Sequence, residues 1–185
     1  MASNNVKLGT GLATGMFYHA PKGTALPTYP TESLAEAWSE VGYVSDEGIT
    51  WHHGRSGESV KDWSNTIRRI INSSDDKTIS VPIISTTKES LKTIFGADNV
   101  VETAATTGHG KLLTITSDSM MSGEEAFLFI MRDGDDSIAI GTTGGFISAL
   151  DDITFSGSTI IWNATLNMSA WTMILDDGQV IPPSP

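Results

Sequence analysis

The chain has 185 residues, a formal net charge of −11 and no cysteine. That length fits one domain with a substantial core. The charge argues against a protein that grips nucleic acid, which needs Lys and Arg to neutralise phosphates, while still allowing one that lets DNA slide past an acidic wall. Without cysteine there are no disulfides and no thiolate metal sites, which fits a reducing cytoplasm. No apolar run reaches the length of a membrane span, and the first residues carry neither a basic leader nor an apolar secretory segment.

Residues 1–30 hold Gly9, Gly11, Gly15 and Gly23 with Pro21, Pro27 and Pro30, so an arm or loop is expected there rather than core. Over Thr31–Gly42 a capping box of Ser33 and Glu36 precedes Leu34, Ala37, Trp38 and Val41 at helical spacing, and one or two helical turns are expected. Strand character begins at Tyr43. Val44–Trp51 contains the turn-like Asp46-Glu47-Gly48, Thr66–Ile71 is β-branched with Arg68 and Arg69, and Lys77–Ile84 is a further β-rich run in which Pro82 marks an edge or an end. An extended loop is expected over about residues 45–65, starting within the first of these runs. The firm helix follows at about 87–95, opened by Thr86 and Glu89, with Leu91, Ile94 and Phe95 on one face and Gly96 as its stop.

The second half reads as successive antiparallel strands. Leu112–Thr116 is one, and Ala126–Met131 is apolar on both faces, as in a strand buried on both sides. Asp133-Gly134 turns into Ser137–Ile140, and Ser156-Gly157-Ser158 joins Ile153–Phe155 to Thr159–Met168. In that last run Ile160, Trp162, Ala164, Leu166 and Met168 alternate with Ile161, Asn163, Thr165 and Asn167, the strongest period-two signal of the chain. A strand near Trp171–Leu175 closes the set. The fold class expected is mainly β with one helix, as a sandwich or barrel, with residues 31–185 as a single domain.

Reactive chemistry is sparse. His52 and His53 are adjacent, so a strand would point them to opposite faces and they would not share a metal ion. Asp133-Gly134-Asp135-Asp136 lacks the alternating ligands of a calcium loop and reads as a hairpin turn. Gly9-x-Gly11 with Gly15 misses the phosphate-cradle spacing, and no Gly-x-Ser-x-Gly elbow occurs. The chain is expected to be neither an enzyme nor a cofactor protein. Trp51 and Trp63 flank the Gly- and Ser-containing stretch 54–59, where no core is evident. They either anchor contacts between subunits or pack back on their own domain.

Two stretches resemble a known family. Thr14-Gly15-Met16-Phe17-Tyr18-His19-Ala20-Pro21-Lys22-Gly23-Thr24-Ala25-Leu26-Pro27 is similar to the "TG-aromatic-x-APxGTxLP" opening of siphophage tail-tube proteins. Trp38-Ser39-Glu40-Val41-Gly42-Tyr43-Val44-Ser45-Asp46-Glu47-Gly48-Ile49 resembles the family's "vGyvSedGi" motif, and Glu58-Ser59-Val60-Lys61-Asp62-Trp63 sits where relatives commonly carry an acidic–polar segment ending in a Trp or similar residue. His52-His53 and Met120-Met121 depart from the family pattern. The specific match covers the first third of the chain.

The resemblance implies two antiparallel sheets packed orthogonally and flanked by a helix. It also implies hexameric rings of this subunit stacked into a long non-contractile tail tube, in the virion tail, after assembly in the bacterial cytoplasm. Tape-measure protein, tail terminator and distal tail or baseplate proteins would be its partners, and DNA would cross the lumen without specific binding. Self-association is then expected of Phe17, Tyr18, Trp51, Glu58, Asp62 and Trp63, within an N-terminal arm and the 45–65 segment. The alternatives are the inner tube of a contractile injection machine, and a virion decoration or receptor-binding β module.

Overall fold

The computed structural model describes residues 10–11, 17–116, 123–153 and 159–178. Met120-Met121, the turn at 156–158 and the first three residues of the opening motif, 14–16, lie outside them. The described residues form eleven strands and one α-helix. The strands are β1 (Thr10–Gly11), β2 (Phe17–Pro21), β3 (Ser39–Gly42), β4 (Thr50–Lys61), β5 (Ile67–Ile83), β6 (Val100–Thr103), β7 (Leu112–Ile115), β8 (Glu125–Asp133), β9 (Asp136–Leu150), β10 (Trp162–Met168) and β11 (Thr172–Asp176). Helix α1 spans Lys88–Phe95. Two antiparallel sheets result. One has nine strands in the order β3-β2-β8-β9-β10-β5-β4, with β1 beside β8 and β11 beside β9, and the other is the β6–β7 hairpin.

β9 organises the large sheet. Its first part pairs with β8 on one side and β11 on the other, and its last part, Gly145–Leu150, pairs with β10. One strand therefore runs through both halves of the sheet. Their inner faces close on a core of Phe17, Ile79, Val81, Ile83, Phe127, Phe129, Ile147, Ala164 and Leu166, sealed by Leu91 and Ile94 of α1. A second cluster lies on the opposite face of β8. There Ala20, Ala126, Leu128, Ile130 and Ala139 are covered by Leu26, Leu34 and Trp38 of the segment between β2 and β3. β8 is thus buried on both faces, as its unbroken apolar run implies.

β9 is far longer than the strand expected at Ser137–Ile140, because Gly141-Thr142-Thr143-Gly144-Gly145 reads as a turn. These glycines serve close approach instead. A Cβ at Gly141 would lie 2.6 Å from Leu26 Cδ2 and 3.0 Å from the Phe127 carbonyl oxygen, and one at Gly145 would lie 2.7 Å from that of Asn167. The β10 alternation holds throughout, with Trp162, Ala164, Leu166 and Met168 buried. α1 begins one residue later than expected. Thr87 caps it by accepting from the Ser90 N–H, and Thr86 instead accepts a hydrogen bond from Trp162 Nε1. Gly96 ends it as expected.

Two expectations need correction. The helical turns at Thr31–Gly42 are absent: 31–38 is a series of turns, and Ser39–Gly42 is strand β3 on β2. A capping box with barely two turns behind it does not offset helix nucleation, and strand pairing wins. The arm expected over 1–30 contains a core strand, because β2 pairs with β8 over Phe17–Pro21 and Phe17 and Ala20 are buried. Phe17 stacks on Phe129 at 4.5 Å and on Phe127 at 5.9 Å. Truncating an aromatic so enclosed leaves a cavity costing about 3–5 kcal/mol. Phe17→Ala should lower the stability of the free protein by that order in chemical denaturation, and an unchanged midpoint would contradict the assignment.

Candidate assembly surfaces

The 45–65 segment, expected as an extended loop, is mostly strand. After a turn at Asp46–Glu47, β4 runs from Thr50 to Lys61 antiparallel to β5, with register shifts after Ser56 and Val60. β10 pairs with β5 only over Thr78–Ile83. Beyond His52 and Thr78 the hairpin leaves the body as an arm. From His53 to Lys61, at about 3.3 Å per residue, it extends about 30 Å.

Local hydrogen bonds shape the arm's tip. One carboxylate oxygen of Asp62 accepts from the backbone N–H of Ser64 at 2.9 Å, its hydroxyl at 2.6 Å and the N–H of Thr66 at 3.0 Å. The other accepts from Arg68 Nε at 2.6 Å. Asn65 is left-handed, at φ 62°. The Ser64 hydroxyl, then the Thr66 N–H and Arg68, hold the Asp62 carboxyl below its ordinary range. Trp63, at the apex, is fully exposed, and Val60, Ile67, Ile70 and Ile71 are exposed along the arm. Ile70 lies opposite Ser59 and Ile71 opposite Glu58, so apolar side chains stand on both faces. No layer of the described chain covers either face. The outer part of the arm, residues 55–72, is basic: Arg55, Lys61, Arg68 and Arg69 against Glu58 and Asp62 give a net of +2, on a chain of −11, while Asp75, Asp76 and Lys77 at its base bring the whole hairpin beyond His52 and Thr78 to +1.

The base of the arm is held differently. Trp51 meets Trp171 edge-to-face at 4.3 Å, and His53 packs on the same ring at 5.9 Å. Asp75 gathers the charges there. Its carboxylate lies 2.7 Å from Lys77 Nζ, 2.8 Å from His53 Nε2 and 3.5 Å from Arg55 Nε. Hydrogen bonds from Lys77 and His53 lower the Asp75 pKa from 3.8 to about 2. A second anchor ties the β6–β7 hairpin to α1: Glu102 bridges Lys88 at 2.8 Å and Lys111 at 2.5 Å. Hydrogen bonds from Lys111, then Lys88, lower its pKa from 4.5 to about 2.

The six residues expected to carry self-association are therefore divided. Trp63 and Glu58 are exposed on the arm. Asp62 is next to Trp63, but its carboxylate is engaged in building the turn. Trp51 belongs to the aromatic contact at the base, and Tyr18 is half-buried against the second core cluster. Phe17 is enclosed in the main core and has no surface to offer a neighbour. His52 and His53 take opposite faces, as adjacent strand residues must. Sequence reasoning missed Ile67, Ile70 and Ile71, which read as an ordinary strand; only their pairing with a polar, Gly-containing partner could have signalled a hairpin without a core. Among the described residues no group of three His, Asp or Glu side chains is placed to hold a metal ion.

The family model described as phage tail tube protein matches residues 1–170. No curated protein matches the chain. Among solved structures, the chain is similar to the anti-feeding prophage cap (the AFP tube-terminating cap), with a TM-score of 0.48 and 10% identity over 95% of this chain and 100% of that one. It is also similar to a chain of the PVC sheath–tube complex, an extracellular contractile injection system in its extended state, with a TM-score of 0.43 and 7% identity over 94% and 93%.

A carboxyl whose pKa is depressed on folding stabilises the folded arrangement above its ordinary value and loses that contribution as pH falls through the folded one. For Asp75 the window runs from about pH 4 down to about 2. Acidification across it should loosen the base of the arm, seen as a change in Trp51 and Trp171 fluorescence. Asp75→Asn should show much of that change already at neutral pH; a flat titration together with a silent variant would contradict it.

Proposed function

The chain belongs to the phage tail tube protein family, a structural component of the virion tail, and on that premise we propose how it assembles. The subunits form hexameric rings, and the rings stack around a tape-measure protein into a long non-contractile tube. A terminator caps the tube, distal tail proteins seed it, and the parts come together in the host cytoplasm. DNA then passes through the lumen without being bound. The work is mechanical, with no reaction catalysed.

The observation that carries this reading is the β4–β5 arm. A monomer that stayed a monomer would keep Trp63, Ile67, Ile70 and Ile71 in water. Large apolar side chains clustered on an exposed arm in this way mark an interaction site. An arm about 30 Å long reaches well beyond its own subunit, which suits a contact between successive rings. Each contact is small, but a subunit that meets several neighbours gains from all of them together. The acidic body suits a conduit, since a negative wall keeps phosphates from adhering.

Because Trp63 touches no core, Trp63→Ala should leave the monomer's stability within about 0.5 kcal/mol, as surface changes do. It should nevertheless reduce tube formation sharply. Negative-stain electron microscopy and pelleting, with and without tail-initiation components, read the outcome. Tubes from the variant at the unmodified yield would contradict the role of the arm, and a net basic lumen in a tube structure would contradict the conduit argument.

A further inference from the structure

If the arm docks on a neighbour, the neighbour needs a surface that is apolar and acidic. A cleft of about 340 Å³ between the Thr28–Tyr29 turn and β11 has that character. It is walled by Thr28, Tyr29, Ile174, Leu175, Asp176 and Asp177. Tyr29 and Leu175 are each 59% exposed, so no described part of the same chain fills it. Two apolar side chains thus stand beside two carboxylates.

We propose that this cleft receives the arm tip of a second copy of the chain. The inference rests on the tube-forming role above and names the receptor for its arm. Trp63 and Ile67 supply apolar surface for Tyr29 and Leu175. Lys61 and Arg69 supply the charge: neither makes an ion pair among the described residues, whereas Arg68 is spent on Asp62 and Arg55 on Asp75. The outer arm, residues 55–72, at a net of +2, is a basic part of a chain of −11, so the tip is drawn to the acidic surface of another copy. Asp176 and Asp177 put that charge at the rim of the cleft, and the β8–β9 turn adds Asp135 beside Gly178. The occupant comes from another copy because the described residues of the same chain leave Trp63 fully exposed and Ile70 70% exposed at the tip.

The chain has no cysteine, which makes the test direct. Thr66→Cys, at the tip, and Thr28→Cys, in the cleft, are made separately, mixed with tail-initiation components and oxidised. A disulfide-linked dimer on a non-reducing gel is expected from the mixture and not from either variant alone. The doubly substituted chain should give a ladder of linked polymers. Tubes without linked product would overturn the cleft assignment while leaving the tube-forming role standing. No tubes from the unmodified protein under any seeding would overturn both. A linked monomer from the doubly substituted chain would show that the cleft takes its own arm, and would also overturn the proposal.

Charge reversal provides the second arm. Lys61→Glu with Arg69→Glu, or Asp176→Lys with Asp177→Lys, should each reduce tube yield by about tenfold or more, and their combination should recover most of it. Failure of the combination to exceed either set alone would count against the pairing.

Discussion

β5 outruns its partner. It is a strand of 17 residues, and on its inner side β10 offers only 7. Pairing with β10 ends at Thr78, and from there toward the tip β5 has only β4 beside it. A two-stranded hairpin with no third layer is marginal in water. This one survives because its base is held by the Trp51–Trp171 contact and the cations gathered on Asp75, and its apex by Asp62. The anchors hold its shape but cover none of the isoleucines along it.

The remainder of the fold makes that projection possible. β9 threads both halves of the large sheet, so the core from Phe17 to Leu166 closes without any contribution from residues 55–72. The body is complete and acidic, the arm dispensable to it and basic. Charge and apolar surface are separated along one chain in a way that favours contact between copies over contact within one. Exposed edges at β3, β4 and β11 belong to the same logic: a strand edge left open in one subunit is a hazard alone and a joint in an assembly.

Much of this was legible in the sequence, for reasons tied to burial. β10 could be read from its alternation because one face meets the core and the other does not. β8 could be read as doubly covered because both faces do. The stop at Gly96 follows from backbone chemistry alone. β9 was read only over Ser137–Ile140 because Gly141 and Gly145 resemble a turn when only composition is visible; what they serve is the approach of Leu26 and of β10, which is tertiary. The helix expected at Thr31–Gly42 failed for the opposite reason, since local signals pointed one way and pairing with β2 the other. Of the assembly surface, the sequence disclosed an unexplained Trp63 near a polar segment, but not that the segment was paired. No core face imposes alternation on the arm, so no periodicity announced its strands. Phe17 was misplaced because a short strand inside a Gly- and Pro-rich stretch carries almost no local signal.

The central claim is that residues 55–72 are uncovered in the free subunit and covered in the assembly. Amide hydrogen exchange on the same protein before and after polymerisation measures this directly. The account predicts fast exchange over 55–72 in the free protein and strong protection in the tube, with the β8–β9–β10 core protected in both. Equal exchange of the arm in the two states would mean that the projection is not a joint, and the account would fail.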